Sequence, residues 1–379
     1  MTRVPELRFA GFDGKWEDKK ISDIGKITAG GDINKTIIKD KGKYPVIANG
    51  DNNNGIVGYY DTDYKIEGPA VTISARGNIG TAIARNYNFT PVVRLLTLKT
   101  DHNINFIAEN LNRLKIFNES TGVAQLTRPQ LSLYKLSLPT IREQEKIGDL
   151  FSKIDHLIKS QQELVDQTMA LKKSMVQRMF PKKDSLIPEI RFDGDDKKWY
   201  KSTSKTIFSN ISDKNHPEIP VLSATQEEGM IFRDEFTSNI QYDLLQKKTY
   251  KRVKVGDFVI HLRSFQGGFA YSNIEGITSP AYTVIRFNEH ELHDDYFWKT
   301  LFSSEYFINR LHSLTYGVRD GKNISFKDFS TIKLVYPELE EQEKIGNFFK
   351  NLDEKIAKEE KLLDAYKMMK KSLLQKMFV

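Results

Sequence analysis

Two short segments of the 379-residue chain gather side chains that can present paired hydrogen bonds to a flat polar edge. Arg76 and Asn78 stand in Ser-Ala-Arg-Gly-Asn at 74–78, and Arg263, Ser264 and Gln266 in Leu-Arg-Ser-Phe-Gln-Gly-Gly at 262–268. Arg, Asn and Gln suit two-point contact with base edges, whereas Lys mostly serves phosphates. The flanking glycines allow close backbone approach. The same residues also suit a tight hairpin with solvated polar groups, and both readings stand at this level. A second pair of segments carries Thr121, Gln125 and Arg128 in one copy and Arg319, Lys322 and Asn323 in the other, with Gln125 opposite Asn323. Amides and basic groups on glycine-containing loops suit groove or phosphate contact, Arg319 and Lys322 being the natural phosphate ligands. The Asn52-Asn53-Asn54 run reads as turn chemistry, because Asn tolerates positive φ. Lys247, Lys248, Lys251 and Arg252 read as a solvated charge run.

Catalytic constellations are harder to find. The chain has no Asn-Pro-Pro-aromatic motif, no glycine-rich phosphate loop and no GxGxxG. Acidic-x-Lys fragments such as Glu17-Asp18-Lys19 arise by chance in a chain that is 28% charged. His290 and His293 imitate a metal pair, but without Cys nearby they read as a solvated helix start. The absence of Cys excludes disulfides and thiolate metal sites and fits a cytoplasmic protein. No apolar run reaches the length of a membrane span, and no basic-then-apolar leader opens the chain. With 57 basic against 50 acidic side chains, the formal charge of +7 permits nucleic-acid binding without demanding it.

The polar segments must be held by a frame that occurs twice. Glu143-Gln144-Glu145-Lys146-Ile147-Gly148 recurs as Glu341-Gln342-Glu343-Lys344-Ile345-Gly346, and Pro139 recurs as Pro337. Pro followed by acidic residues is a helix-start signal. Met179-Phe180 answers Met377-Phe378 at the far ends. An opening motif, Pro5-Glu6-Leu7-Arg8-Phe9 with Trp16, recurs as Pro188-Glu189-Ile190-Arg191-Phe192 with Trp199. Between these markers, 44–48, 70–74 and 92–98 read as buried strands and 104–117 as a helix. In the second half 219–223, 257–261 and 281–287 are the strands and 294–312 the helix, with Phe297, Trp298 and Phe302 in the core. The predicted organisation is α+β, with two α/β domains at 1–140 and 182–338 separated by long helices at 141–181 and 339–379.

Both long helices carry a seven-residue apolar repeat that a second helix must cover. The first reads Ile147, Leu150, Ile154, Leu157, Gln161, Leu164, Thr168, Leu171 and Met175, and the second Ile345, Phe348, Leu352, Ile356, Glu359, Leu362, Tyr366, Met369 and Leu373. The expectation is an antiparallel coiled coil in a pseudo-two-fold cyclic repeat, with Gln161 and Glu359 sharing a polar layer that fixes register. Helices of about 38 residues are roughly 57 Å long, enough to hold two readers on separated stretches of DNA.

The duplicated helix starts, the Met-Phe helix ends, the opening motifs and the two unlike domains resemble the specificity subunit of type I restriction–modification systems, over essentially the whole chain. That resemblance implies a non-catalytic subunit whose two target-recognition domains each read one half of a bipartite double-stranded DNA site. It implies helices that set the spacing and dock two methyltransferase subunits, which bind S-adenosylmethionine and methylate adenine at N6. Restriction and translocase subunits would supply ATP- and Mg-dependent cleavage. No cofactor and no membrane is implied for this chain. A coiled-coil scaffold that joins proteins and ignores DNA is the competing class.

Overall fold

The computed structural model describes residues 4–50, 52–116, 124–182, 185–195, 197–225, 228–233, 244–261, 268–305, 307–308, 311 and 324–379. The chain divides into two compact units, one of residues 1–163 with 361–379 and the other of residues 164–360. The boundaries fall inside the two long helices, Ile141–Met179 and Leu339–Met377. Each unit therefore holds one sheet domain, the start of one long helix and the end of the other.

The two sheet domains share one plan. In the first unit an antiparallel sheet is ordered Gly25–Ala29, Leu96–Thr100, Ala70–Ile73, Ala82–Arg85. In the second, Phe208–Ile211, Thr283–Phe287, Phe258–Ile260 and Phe269–Tyr271 take the same places. A helix packs on each, Ile104–Asn112 capped by Asn103 and Asp295–Ser303 capped by Asp294. Each cap side chain accepts from the amide three residues on, satisfying a donor that the first helical turn leaves orphaned. The expected strand at 92–98 is broken. Val92 to Leu95 form a turn closed by Leu95 N–H on the Val92 carbonyl (3.0 Å), and the strand begins at Leu96.

The repeated motifs acquire reasons. Arg8 of the opening motif meets Glu143 at the helix start through two bonds of 2.7 Å, and Arg191 meets Glu341 at 2.9 and 2.6 Å. These bidentate pairs are nearly sealed from solvent, with side-chain exposures of 14% and 1% in the first and 11% and 6% in the second. Gln144 and Gln342 donate to the carbonyls of Pro139 and Pro337 at 2.9 Å, turning the chain into each helix. The glycines follow from contact. A Cβ on Gly148 would overlap the Asn103 cap, and one on Gly346 the Asp294 cap. The terminal phenylalanines close the cores. Phe378 stacks on Phe106 (5.1 Å) beside Phe151 and Trp16, and Phe180 sits against Phe297 (5.5 Å), Phe349 and Trp199.

Within each unit the long helices run antiparallel. In the first, Phe151 meets Phe378 and Asp155 meets Lys370; in the second, Thr168 meets Glu359, Lys172 meets Asp353 and Phe180 meets Phe349. Rising numbers on one helix face falling numbers on the other. Their buried seam differs from the predicted one at alternate positions. Phe151 and Val165 are buried in the first helix, whereas Leu157, Leu164 and Leu171 are 44%, 40% and 47% exposed. Phe349 and Leu363 are buried in the second, Phe348 is only partly buried, and Leu362 and Met369 are 43% and 41% exposed. Adjacent apolar columns compete here, and the column carrying the aromatic Phe151 and Phe349 faces inward. Buried Glu359 lies 3.0 Å from the Thr168 hydroxyl, so Thr168 belongs to the polar layer.

The seam makes a direct prediction. Val165→Gln should lower the unfolding free energy by about 2–4 kcal/mol through a lost apolar side chain and a buried amide. Leu164→Gln, one residue away, should change it by no more than about 0.5 kcal/mol. Urea unfolding of the two variants reads the register, and the reverse ranking would return the seam to the Leu column.

Candidate nucleic-acid interface

The first unit brings several polar groups to the end of its sheet. The hairpin joining Ala70–Ile73 to Ala82–Arg85 is closed by Ser74 N–H on the Thr81 carbonyl (2.9 Å) and Gly80 N–H on the Ser74 carbonyl (2.8 Å). Gly77 at its tip has φ of 68° and open space where a Cβ would stand. Asn78 beside it is exposed. Arg76 is half-buried, and its Nε is buried with no hydrogen-bond partner among the described residues. The segment is thus a hairpin, with one buried Arg76 donor unpaired among the described residues.

Gln125 comes to the same place. Leu126 N–H donates to the Ala75 carbonyl (3.0 Å), laying the 124–126 strip along the hairpin base. Two residues that the sequence reading left out complete the cluster. Asn49 accepts from Ala75 N–H (2.7 Å) and donates to the Val93 carbonyl (3.4 Å), and Arg94 donates to Gln125 Oε1 (3.3 Å). The contacts form a closed circuit through residues 126, 75, 49, 93, 94 and 125. Arg94 has φ of 74° at the third position of the Val92 to Leu95 turn, a conformation that favours Gly and costs other residues roughly 1–2 kcal/mol. No Gly or Asn marks that turn, so Val92-Val93-Arg94-Leu95 reads as strand. Asn53 and Asn54 do adopt positive φ, 49° and 52°, in the loop before Ile56–Tyr60.

Arg128 stands apart from the circuit. It is exposed at the start of the short helix Arg128–Leu133, whose Thr127 and Gln130 form a capping box. Thr121, Arg263, Ser264, Gln266, Arg319, Lys322 and Asn323 lie outside the described residues. The strands flanking 262–267 hold the sheet positions of those flanking the first hairpin, and His261 N–H on the Gly268 carbonyl (2.9 Å) closes their ends.

The histidine pair divides. His290 is exposed and lies 3.1 Å from Asp295. His293 is buried, contrary to the solvated helix start expected of it, with its ring stacked on Phe287 (4.9 Å) and edge-on to Trp298. Burial lowers its pKa from 6.5 to about 4, with His290 adding to the effect and Gln342 and Glu291 opposing it. The unfolded chain therefore takes up this proton at higher pH than the folded one. The stabilisation is complete above pH 6.5 and is lost as pH falls towards 4.

A family profile described as the type I restriction modification DNA specificity domain matches residues 13–167 and 200–366. A putative type I specificity subunit of Mycoplasma pneumoniae is 29% identical over 164 residues, 42% of this chain and 45% of the relative. A type I restriction enzyme specificity subunit of Methanocaldococcus jannaschii is 27% identical over 282 residues, 69% of this chain and 65% of the relative. The chain spans less than two-thirds of the length of either. The crystal structure of a type I restriction–modification S subunit from M. genitalium has the same fold, with a TM-score of 0.69 and 16% identity over 99% of both chains.

Between pH 7 and 4.5 the wild type should lose about 2 kcal/mol relative to His293→Gln, read as the difference between their urea unfolding free energies. A difference that stays constant with pH would show that His293 does not titrate in this way.

Proposed function

The chain belongs to the type I restriction–modification DNA specificity family, and from that membership we propose that it is the non-catalytic sequence-reading subunit of such an enzyme. The observation that carries the proposal is the double match of the family profile, once over each half of a chain whose two four-stranded sheets share one strand order. In this reading residues 1–140 and 182–338 are target-recognition domains for the halves of a bipartite duplex site. Residues 141–181 and 339–379 are the spacer. Arg76, Asn78, Gln125 and Arg128 contact one half-site, with Thr121 in the same segment. Arg263, Ser264, Gln266, Arg319, Lys322 and Asn323 contact the other.

The long helices offer a surface for partners. Leu157 in the first unit, and Leu164 and Leu171 in the second, are apolar side chains that the helix seam leaves exposed. Two methyltransferase subunits dock on the helices in this proposal, bringing S-adenosylmethionine, and restriction and translocase subunits bring ATP and Mg. No helix among the described residues is long and apolar enough to cross a membrane, and a cytoplasmic place accords with the proposed substrate. A protein scaffold indifferent to DNA would explain the helices, and accounts less well for two sheet domains that carry Arg- and Gly-containing loops.

The test uses the chain assembled with its methyltransferase partner. Binding to the methylated site should weaken steeply with salt, as phosphate contacts do. Arg76→Ala should reduce discrimination in one half-site by about 1–3 kcal/mol, and Arg263→Ala should do the same in the other. Equal weakening on unrelated sequences would assign these arginines to phosphates, and salt-independent or absent DNA binding would favour the scaffold.

A further inference from the structure

The arginines that line the first sheet domain fall into two kinds. Arg8 is saturated by Glu143 and by the carbonyls of Asp13 and Gly14, at 2.7–2.8 Å. Arg85 is likewise held by Thr72 Oγ1, the Tyr87 hydroxyl and the Asn54 carbonyl, at 3.2, 3.1 and 2.7 Å. These two are structural, because Arg8 makes four hydrogen bonds within the fold and Arg85 three. Arg94 differs. Its guanidinium has a single partner among the described residues, Gln125 Oε1 at 3.3 Å, and it is carried by a backbone conformation that a glycine would adopt more readily. The turn beneath it is tied through Asn49 to the base of the Arg76 hairpin, so the position of the guanidinium is set by hydrogen bonds from three separate segments.

We propose that Arg94 is a specificity-determining residue of the first domain, reading the major-groove edge of a guanine while Gln125 holds its guanidinium in plane. The inference rests on the DNA-reading function proposed above and deepens it. A guanidinium anchored on one edge keeps a second edge of two parallel N–H donors, which matches the O6 and N7 acceptors of guanine. Buttressing by a neutral amide fixes the plane without cancelling the charge, as a carboxylate would. The preorganised side chain also loses little freedom on binding.

Arg94→Gly offers a test in which folding is not the obstacle, since glycine suits φ of 74° at that turn position. The full chain, assembled with its methyltransferase partner, is measured by competition binding against duplexes substituted singly at each position of the first half-site. The expected result is a melting temperature equal to or above that of the wild type and affinity for the intact site lower by about ten- to a hundredfold. Preference should be lost at one G·C pair, with the second half-site read as before. Arg94→Lys should keep charge and a bond to Gln125 yet fail to restore that preference. Rescue by Lys, or weakening spread evenly over the half-site, would reduce Arg94 to a phosphate contact or a brace for the 124–126 strip. Unchanged discrimination in Arg94→Gly would overturn the inference while leaving the DNA-reading function intact. An unsubstituted assembly with no sequence preference would overturn that function itself.

Discussion

A buried arginine–glutamate pair, made twice, is the constraint on which the rest of this structure depends. Arg8 with Glu143 and Arg191 with Glu341 join the opening strip of each unit to the first turn of a long helix. Burying such a pair contributes little net stability, because desolvation offsets most of the attraction, but removing one partner leaves an uncompensated charge at a cost of about 3–5 kcal/mol. Its effect is therefore geometric. The carboxylate accepts two parallel N–H groups in one plane, and Arg8 also grips the Asp13 and Gly14 carbonyls. A sheet domain attached this way meets its helix at one angle.

The same economy runs through the other repeated residues. The glutamine after each glutamate bonds back to the proline carbonyl, the glycine makes room for the neighbouring helix cap, and the terminal phenylalanine enters an aromatic cluster with a tryptophan of the opening strip. The opening strip also hydrogen-bonds to the last turn of a long helix, through Leu7 N–H on the Lys376 carbonyl and Ile190 N–H on the Arg178 carbonyl. Each motif is thus a joint. These residues are engaged in the frame itself, which is why the repeated stretches mark the family while the loops between them are free to differ.

Legibility in the sequence follows the same division. Helix starts, helix ends and opening strips could be read because two copies of each confirm one another. The seam register could not, because Leu150-Phe151, Leu157-Ile158 and Leu164-Val165 put two apolar columns side by side, and hydropathy does not say which one turns inward. Lys172 is the sharpest case. Its neighbour Leu171 is the more apolar residue, yet Lys172 lies closer to the seam with its ammonium on Asp353 and its aliphatic stem available for packing. Arg94 was hidden for another reason. A turn that places a non-glycine residue at positive φ carries no mark in the sequence, so the strand appeared to run on. Arg76 and Gln125 are visible as residue types on loops, but their convergence depends on the Leu126 to Ala75 bond, which joins residues 51 positions apart.

In the proposed reading, sequence recognition is a matter of a repeated frame presenting unlike loops. The first four-stranded sheet ends in a hydrogen-bonded circuit that includes Arg94 and Gln125, and the second repeats its strand order around different residues. The most direct measurement is a genome-wide map of N6-methyladenine in cells that do and do not express this chain alongside its methyltransferase. The account predicts one new methylated motif, made of two specified half-sites separated by an unread gap of fixed length, present only when the chain is expressed. A methylation pattern that is the same without the chain, or a new motif with no internal gap, would contradict it.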